Sequence, residues 1–261
     1  MATQATTTIR RTTEFAVPAA LLAGWWFLGQ FGVHSFYFPP LREIWASFQE
    51  TWLFERVGSD VVPTLSAIAL GYAASVVVGI AVGVLLGLMP RVNEFLTPLF
   101  DFFRALPSSA AVPILIVLLG VGMSMKIAVV MFSALWTIIL NTSDAVGGVD
   151  PVARETSLSY HLRPRDRLLR VVLPSASPQI VAGMRVALNQ SIILVIISEI
   201  IVSSSGIGYF IENAQWTFDI TGMWSGLLLI GVIGFALTKL FQLFERRVLA
   251  WHRGLHRKAQ S

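Results

Sequence analysis

Long stretches without a formal charge constrain the fold of this chain more than any other feature of its sequence. A helix of about 20 mostly apolar residues is enough to cross the hydrocarbon core of a bilayer. Five runs of the sequence are long and uncharged, and a sixth apolar segment, from Ile180 to Val202, is interrupted only by Arg185 and Glu199. Six spanning helices is therefore the simplest count, and the predicted fold class is an all-α membrane protein. The uncharged runs cover Phe15–Leu41, Val61–Pro90, Ala105–Met125, Ile127–Ser143 and Ile220–Thr238.

Basic residues are distributed unevenly over the segments that join these predicted spans. If the N-terminus is cytoplasmic, the outer segments carry only Arg42, Arg56 and Lys126, and the other basic residues of the connecting segments and tails are cytoplasmic. This asymmetry is what the positive-inside rule predicts. We therefore expect a multi-pass protein with both termini in the cytoplasm. Its parts are a cytoplasmic N-terminal tail (1–14), a transmembrane domain (15–247) and a basic cytoplasmic C-terminal tail (248–261).

No pattern in the sequence indicates catalysis or a bound cofactor. The chain has no cysteine, and neither a G-x-x-x-x-G-K-[ST] phosphate loop nor a G-x-S-x-G nucleophile motif occurs. The four histidines are too scattered to build a metal site with carboxylates on one helix face. The net charge of +4 follows from the topology, and no basic–aromatic alternation indicates a nucleic-acid partner. We predict a conduit without catalytic, cofactor-binding or metal-binding residues of its own.

Small residues recur at every fourth position of the second predicted span. This spacing lets two helix backbones approach closely in lipid, either within one chain or between subunits. Residues 34–60 form an amphipathic outer stretch, in which Trp45, Phe48 and Trp52 suit the membrane–water boundary. We expect an interfacial helix there, with a docking surface for an extracytoplasmic partner as the alternative. The small residues are Gly71, Ser75, Gly79, Gly83 and Gly87.

Polar groups and prolines within the apolar segments mark a possible solute pathway. Arg104, Pro107 and Pro113 interrupt the third segment, and broken helices at membrane depth often line a cavity, although an ordinary kink is the alternative. Glu199 lies inside the fifth span, where an unpaired charge costs about 2.5–3.5 kcal/mol. It must therefore be paired or face water, in a pathway, gating or structural role. The candidate pathway residues are Glu199, Arg185, Arg104 and Pro107.

A basic segment from Pro151 to Pro174, here called the basic loop, joins the fourth and fifth predicted spans. It holds a spaced pattern in which Glu155-Thr156-Ser157 is followed after three residues by His161, and after nine more by Val171-x-Leu173-Pro174. A charged segment between apolar spans is suited to contact a soluble partner. Its arginines are Arg154, Arg163, Arg165, Arg167 and Arg170.

This pattern resembles the EAA loop of binding-protein-dependent ABC permeases, which reads Glu-Ala-Ala, three residues, Gly, nine residues, Ile-x-Leu-Pro. Thr156 and Ser157 stand at the alanines and His161 stands at the glycine that supplies the turn. The resemblance extends over residues 15–252, and several features are similar to the nitrate, sulfonate and taurine branch. The further matching positions are Arg104 to Pro113, Gly120 to Gly122, Pro178, Gly183, Arg185, Glu199, Gly206 to Gly208 and Phe244 to Trp251.

The resemblance implies a type I ABC importer permease in a bacterial cytoplasmic membrane. In that family the loop, here residues 150–174, forms coupling helices that dock on a pair of ATPase subunits, which bind the ATP and Mg²⁺. It also implies a second permease copy, as a homodimer, and an extracytoplasmic binding protein that delivers a small anion, such as a sulfonate, nitrate or aromatic acid. The alternative is an ion-coupled secondary transporter that uses Glu199. The expected coupling residues are Glu155, Thr156, Ser157, His161, Val171, Leu173 and Pro174.

Overall fold

A computed structural model describes residues 36–251, residues 23–27 and the single positions Ala16 and Ala20. The predicted N-terminal tail, most of the first predicted span and residues 252–261 of the C-terminal tail lie outside the described residues. Helices account for nearly all of the regular structure in the described part, so the predicted all-α fold is confirmed. The described residues form two compact units, one of residues up to Val57 with Phe210–Leu229, and one of Gly58–Tyr209 with residues from Ile230 onward.

The helices follow one another with short connections, and several meet the length and hydropathy of a membrane span. Four helical segments do so: Val57–Leu88, Met123–Gly147, Pro164–Ile201 and Ile220–Val248. A helix pair bent by 79°, Pro90–Ala105 with Ser108–Leu119, adds a fifth if it is counted as one span. The α-helices are α1 (Leu41–Glu50), α2 (Val62–Leu88), α3 (Pro90–Ala105), α4 (Ala111–Leu119), α5 (Met123–Gly147), α6 (Pro151–Ser159), α7 (Pro164–Arg167), α8 (Leu173–Ile201), α9 (Ile207–Trp216) and α10 (Ile220–Val248).

The third segment is broken where its prolines predict a break. Helix α3 ends at Ala105, Leu106 is extended with ψ of 129°, and a short 3-10 helix from Ser108 to Ala110 leads into α4. Pro107 disfavours the helical conformation at the residue before it, which explains why the break falls at Leu106. The third helical segment begins at Pro90, whereas the uncharged run in the sequence begins only at Ala105. The difference arises because α3 is amphipathic and carries charged residues, which cannot belong to an uncharged run.

In the larger unit, α2 packs against α5 through the small-residue stripe. A Cβ atom on Gly83 would lie 2.5 Å from Cβ of Thr142, and one on Gly87 would lie 2.6 Å from Cβ of Val146. Any larger residue would therefore force the two backbones apart. The intrachain alternative for this stripe is confirmed, and close backbone approach is its physical purpose. Helix α8 packs against both α5 and α2, and buried Val130, Val146, Val172, Val181 and Val195 belong to one apolar cluster among these helices.

In the smaller unit, α1 is the predicted amphipathic helix. Ile44 is buried, whereas Trp45 is exposed and its ring stacks on Phe48 at 5.4 Å. Trp52 differs from Trp45 in that its side chain is buried and its indole N–H donates to Oγ of Ser225 at 3.1 Å, and its position at the membrane–water boundary stays a prediction. An indole with one internal hydrogen-bond partner no longer needs water at its polar edge.

Candidate docking loop and buried polar cluster

The basic loop folds into two short helices with a defined start. Helix α6 is capped by Asp150, whose carboxylate accepts a hydrogen bond from the Val152 backbone N–H at 2.9 Å. Pro151 takes the first helical position, where the missing N–H has no intrahelical partner to lose. Helix α7, a π-helical turn over Leu168–Val172 and α8 then follow without a break. Pro174 sits in the first turn of α8.

His161 forms the turn between α6 and α7 with a left-handed backbone, at φ of 49°. Its N–H donates to the Leu158 carbonyl at 2.9 Å, and the Leu162 N–H donates to the Ser157 carbonyl at 3.2 Å. These two bonds define a Schellman motif, in which the left-handed position is usually a glycine. The structure thus explains the glycine of the resembled pattern, and it shows that histidine adopts the same conformation here.

The surface of the basic loop includes apolar side chains that the described part of the chain leaves exposed. Leu158 is 54% exposed and Tyr160 is 77% exposed, and Glu155 lies exposed beside them. Exposed apolar groups rimmed by charge are typical of a protein–protein contact surface. A shallow pocket of about 460 Å³ adjoins them, and its lining includes the predicted coupling residues Thr156, Ser157 and Val171 with Ala153, Tyr160 and Leu162.

One arginine of the basic loop ties the loop to the membrane helices. The Arg154 guanidinium donates to the Val146 carbonyl in the last turn of α5. Ser157, which the sequence places among the contact residues, is buried, and its hydroxyl donates to the Arg154 carbonyl at 2.6 Å. Ser157 is therefore an internal residue of α6, whereas its neighbours Glu155 and Thr156 are exposed.

Glu199 lies at the centre of a buried polar cluster. It is fully buried in α8, and its Oε1 is 2.9 Å from Nζ of Lys126, which is itself only 2% exposed. Lys126 also donates to the Ser205 carbonyl at 2.6 Å. Both oxygens of Glu199 lie within 2.9 Å of the Thr64 hydroxyl, and Oε2 accepts from the Gly208 N–H at 3.0 Å.

The same cluster caps the first turn of α9. The Gly206 N–H donates to Oδ1 of Asp60 at 2.8 Å, and the Ile207 N–H donates to the Thr64 hydroxyl at 3.1 Å. Together with the Gly208 bond to Glu199, these contacts satisfy three N–H groups that a helix start leaves without partners. Acidic side chains there also complement the helix dipole. The cluster joins α2, α5, α8 and α9 at one point.

Gly206 is required for this arrangement. Its φ is +113°, and a Cβ atom there would collide with the Glu199 carboxylate. Only glycine offers both this backbone conformation and the space for the carboxylate.

The sequence places Lys126 in an outer connecting segment, and its placement in a connection is wrong. Lys126 lies in the first turn of α5 with its ammonium buried against Glu199. The signal was present, since an intramembrane acid requires a counter-charge. Lys126 is the one charge between the two uncharged runs that flank it. Thr64 and Asp60 were missed because neither residue type by itself indicates a partner 135 or more positions away.

The four candidate pathway residues do not converge on one site. Arg185 in α8 pairs with Glu245 in α10. Arg104 is exposed and lies 3.6 Å from Asp101 on its own helix, and Pro107 marks the break after α3. No hydrogen bond or ion pair in the described part of the chain joins any two of Arg104, Arg185 and Glu199.

Comparison with known proteins agrees with this architecture. Residues 75–250 match the family described as the binding-protein-dependent transport system inner membrane component. The chain is 31% identical over 191 residues to the bicarbonate transport permease CmpB of Synechococcus elongatus, covering 73% of this chain and 69% of that one. It is 27% identical over 236 residues to the putative aliphatic sulfonates transport permease SsuC of Bacillus subtilis, covering 90% and 86%.

A further relative is the taurine transport permease TauC of Escherichia coli, which is 25% identical over 244 residues and covers 90% of this chain and 87% of that one. Among solved structures, a chain of the inward-facing MetNI methionine ABC transporter superposes with a TM-score of 0.61 at 18% identity, covering 80% of this chain and 95% of that one. That likeness supports the fold alone.

These matches define the class as a membrane-spanning ABC permease with a type I importer fold. The chain belongs to the family of binding-protein-dependent transport system inner membrane components. The resemblance drawn from the basic loop is thereby confirmed, including its branch, because relatives named for sulfonate, nitrate and taurine transport are among the matches. Membership in this family does not favour the alternative of an ion-coupled secondary transporter.

Proposed function

We propose that this chain is the permease subunit of an ATP-driven importer, and that its basic loop is the contact through which separate ATPase subunits drive it. The observation that carries the proposal is the two-helix loop itself. A capped helix, a Schellman turn at His161 and uncovered Leu158 and Tyr160 form a preorganised, partly apolar docking surface. ATP and Mg²⁺ belong to the ATPase subunits, since the sequence has no phosphate loop.

The connections of the basic loop would transmit a movement of the loop directly to α5 and α8. Only Gly148, Val149 and Asp150 separate α5 from α6, and the Arg154 contact with Val146 bridges this gap. On the other side, α7 continues into α8 without an intervening coil. A displacement of the docked loop would therefore move α5 and α8 as packed bodies, which is how discrete rearrangements pass through a helical core.

We propose a small anion as the solute. The relatives are named for sulfonate, bicarbonate, nitrate and taurine transport, and each of these solutes carries a compact oxyanion group. In the proposed assembly an extracytoplasmic binding protein delivers the anion to a pair of permease copies, and the basic loops face the cytoplasm. Arg185, Arg104 and Pro107 remain proposed pathway positions, whereas the buried contacts of Glu199 favour a role in holding helices together.

The docking role is tested by reversing the charge of Glu155. Glu155→Lys is expected to reduce co-purification of the ATPase subunits and ATP-dependent uptake of nitrate, bicarbonate or taurine into proteoliposomes. The physical reason is that an exposed carboxylate offers a charge-assisted contact that lysine would repel. Glu94→Lys is the matched control, because Glu94 is also exposed but lies on α3. Normal uptake by Glu155→Lys would refute the docking role, and uptake driven by an ion gradient without ATP would refute the importer proposal.

A further inference from the structure

Helix α8 presents a polar group to its surroundings at the middle of its length. Ala182, Val186, Asn189 and Ile193 are exposed and recur at helical spacing, so they form one face of the helix. Asn189 is the polar member of this face. Its amide makes no hydrogen bond to any described residue, although α8 is long and apolar enough to cross a membrane.

Three further polar side chains lie on α8 and α5, where these two helices meet. The Thr137 hydroxyl donates to Oε1 of Gln190 at 2.8 Å, and the Asn141 amide donates to the Thr137 carbonyl at 2.8 Å. Thr137, Asn141 and Gln190 are all half-buried. We call Thr137, Asn141, Asn189 and Gln190 the polar stripe.

The backbone of α8 is shaped to admit one member of the stripe. A Cβ atom on Gly183 would lie 2.5 Å from Cβ and 2.8 Å from Cγ of Asn141. The absence of a side chain at Gly183 therefore lets the Asn141 amide lie against α8. The contact of Thr137 with Oε1 of Gln190 leaves the Gln190 NH₂ group as a free donor within the described residues.

Amides that serve only to join helices are enclosed between them, where both partners are satisfied. Asn189 and the Gln190 NH₂ do not fit this description, because the first is exposed and the second has no partner in the described structure. The middle of α10 is a useful contrast, since its exposed side chains Val232, Phe235 and Ala236 are all apolar, as a lipid-facing surface requires, and the exposed Lys239 lies closer to the end of that helix. Polar side chains exposed at mid-span indicate water or a polar solute rather than lipid.

We propose that the polar stripe lines the water-filled solute pathway and that its amide N–H groups donate hydrogen bonds to a passing small oxyanion. This inference rests on the proposed importer function and names residues of its pathway. The stripe carries no formal charge, so it can solvate an anion without trapping it, as rapid release requires. Arg185 lies one helical turn away from Asn189, and its charge is balanced by Glu245.

The test uses the fact that the natural chain has no cysteine. Single variants Asn189→Cys and Val186→Cys are made in the complete transporter, in membranes permeabilised so that reagents reach both faces. They are treated with an anionic and a cationic methanethiosulfonate, with and without ATP and vanadate. A thiol reacts with these reagents as thiolate, which requires water. Val232→Cys is the matched control on the apolar face of α10.

Asn189→Cys and Val186→Cys are expected to react at least about tenfold faster than Val232→Cys in one of the two states, with the anionic reagent favoured. Reaction rates equal to that of Val232→Cys in both states would overturn the proposal. Oxidative cross-linking of Asn189→Cys between two copies, without labelling, would also overturn it and assign the face to a subunit contact. A preference for the cationic reagent would overturn the anion assignment.

A second measurement reports on the solute. Gln190→Glu, which keeps the shape but puts a negative charge in the stripe, is expected to lower uptake of nitrate or taurine at least about tenfold, with ATPase co-purification unchanged. Gln190→Asn keeps an NH₂ donor and is expected to retain most of the uptake. Unchanged uptake in Gln190→Glu would overturn the stripe proposal. The importer proposal is judged separately, by ATP-dependent uptake through the unaltered chain.

Discussion

The buried ion pair between Lys126 and Glu199 makes a quantitative prediction about stability. At an effective dielectric constant of about 20, opposite charges 2.9 Å apart attract by about 6 kcal/mol. Desolvation of two buried ions costs several kcal/mol each, so the net contribution of the pair is small. Removal of one partner destabilises the protein strongly, because the remaining buried charge keeps its desolvation cost and loses the attraction of its partner.

Lys126→Met is therefore expected to lower the free energy of unfolding by about 3–5 kcal/mol. Glu199→Gln should cost a similar amount, about 3–5 kcal/mol, because the one glutamine oxygen cannot accept from both Gly208 and Lys126, and the Lys126 ammonium keeps only the Ser205 carbonyl. The double variant removes both charges. Its loss should be smaller than the sum of the single losses by about 2–3 kcal/mol.

The assay is equilibrium unfolding in mixed micelles, titrated with sodium dodecyl sulfate and followed by tryptophan fluorescence. Lys239→Met is the matched control, since Lys239 is an exposed lysine whose ammonium lies over the Phe235 ring at 5.3 Å. Its loss should stay below about 1 kcal/mol. The reasoning fails if Lys126→Met is as stable as Lys239→Met, or if the two single losses add within about 0.5 kcal/mol.

Two further predictions concern backbone geometry. His161→Gly should retain ATPase co-purification, because glycine adopts φ of 49° without the steric cost of about 1–2 kcal/mol that other residues have there. His161→Val should lose the turn, because valine is β-branched. Both ATPase co-purification and the hydrogen-exchange protection of α6 should then decrease. A fully protected α6 in His161→Val would contradict this. Gly83→Leu should separate α2 from α5, lower the free energy of unfolding by at least about 1–3 kcal/mol, and lower the folded yield on size-exclusion chromatography. Gly231→Leu is the control and should keep the folded yield, because a Cβ atom on Gly231 would have nothing within 4 Å. Equal yields of the two variants would show that the close approach of α2 and α5 is unimportant.

Local patterns in the sequence were sufficient for the helical class, the broken third segment and the basic loop. The uncharged runs specify membrane helices because a backbone in lipid must satisfy its own hydrogen bonds, whatever the partners of the helix are. Pro107 acts on its immediate neighbour, and the spacing from Glu155 to Pro174 stays within one short segment. His161 could be identified as the turn residue for the same reason, since a Schellman motif involves only the residues around it.

The partners of Glu199 were decided by tertiary structure. The sequence shows that a buried acid needs a counter-charge, yet Lys126 lies 73 positions away and reads as a loop residue when the neighbouring runs are counted separately. The small-residue stripe likewise predicts a close contact between helices, but it does not indicate that α5 is the partner helix. Nothing in the sequence alone shows that Asn189 is exposed on α8 or that Gln190 pairs with Thr137.

The sequence by itself therefore determined that this chain is a helical membrane permease whose basic loop resembles the EAA loop, because those properties depend on composition and on residues close together in the chain. Only the folded structure decided that Glu199 closes a buried cluster with Lys126, Thr64 and Gly208, and that Asn189 faces outward at mid-span. Those properties depend on which helix faces meet, and helix packing joins residues whose separation along the chain carries no local signal.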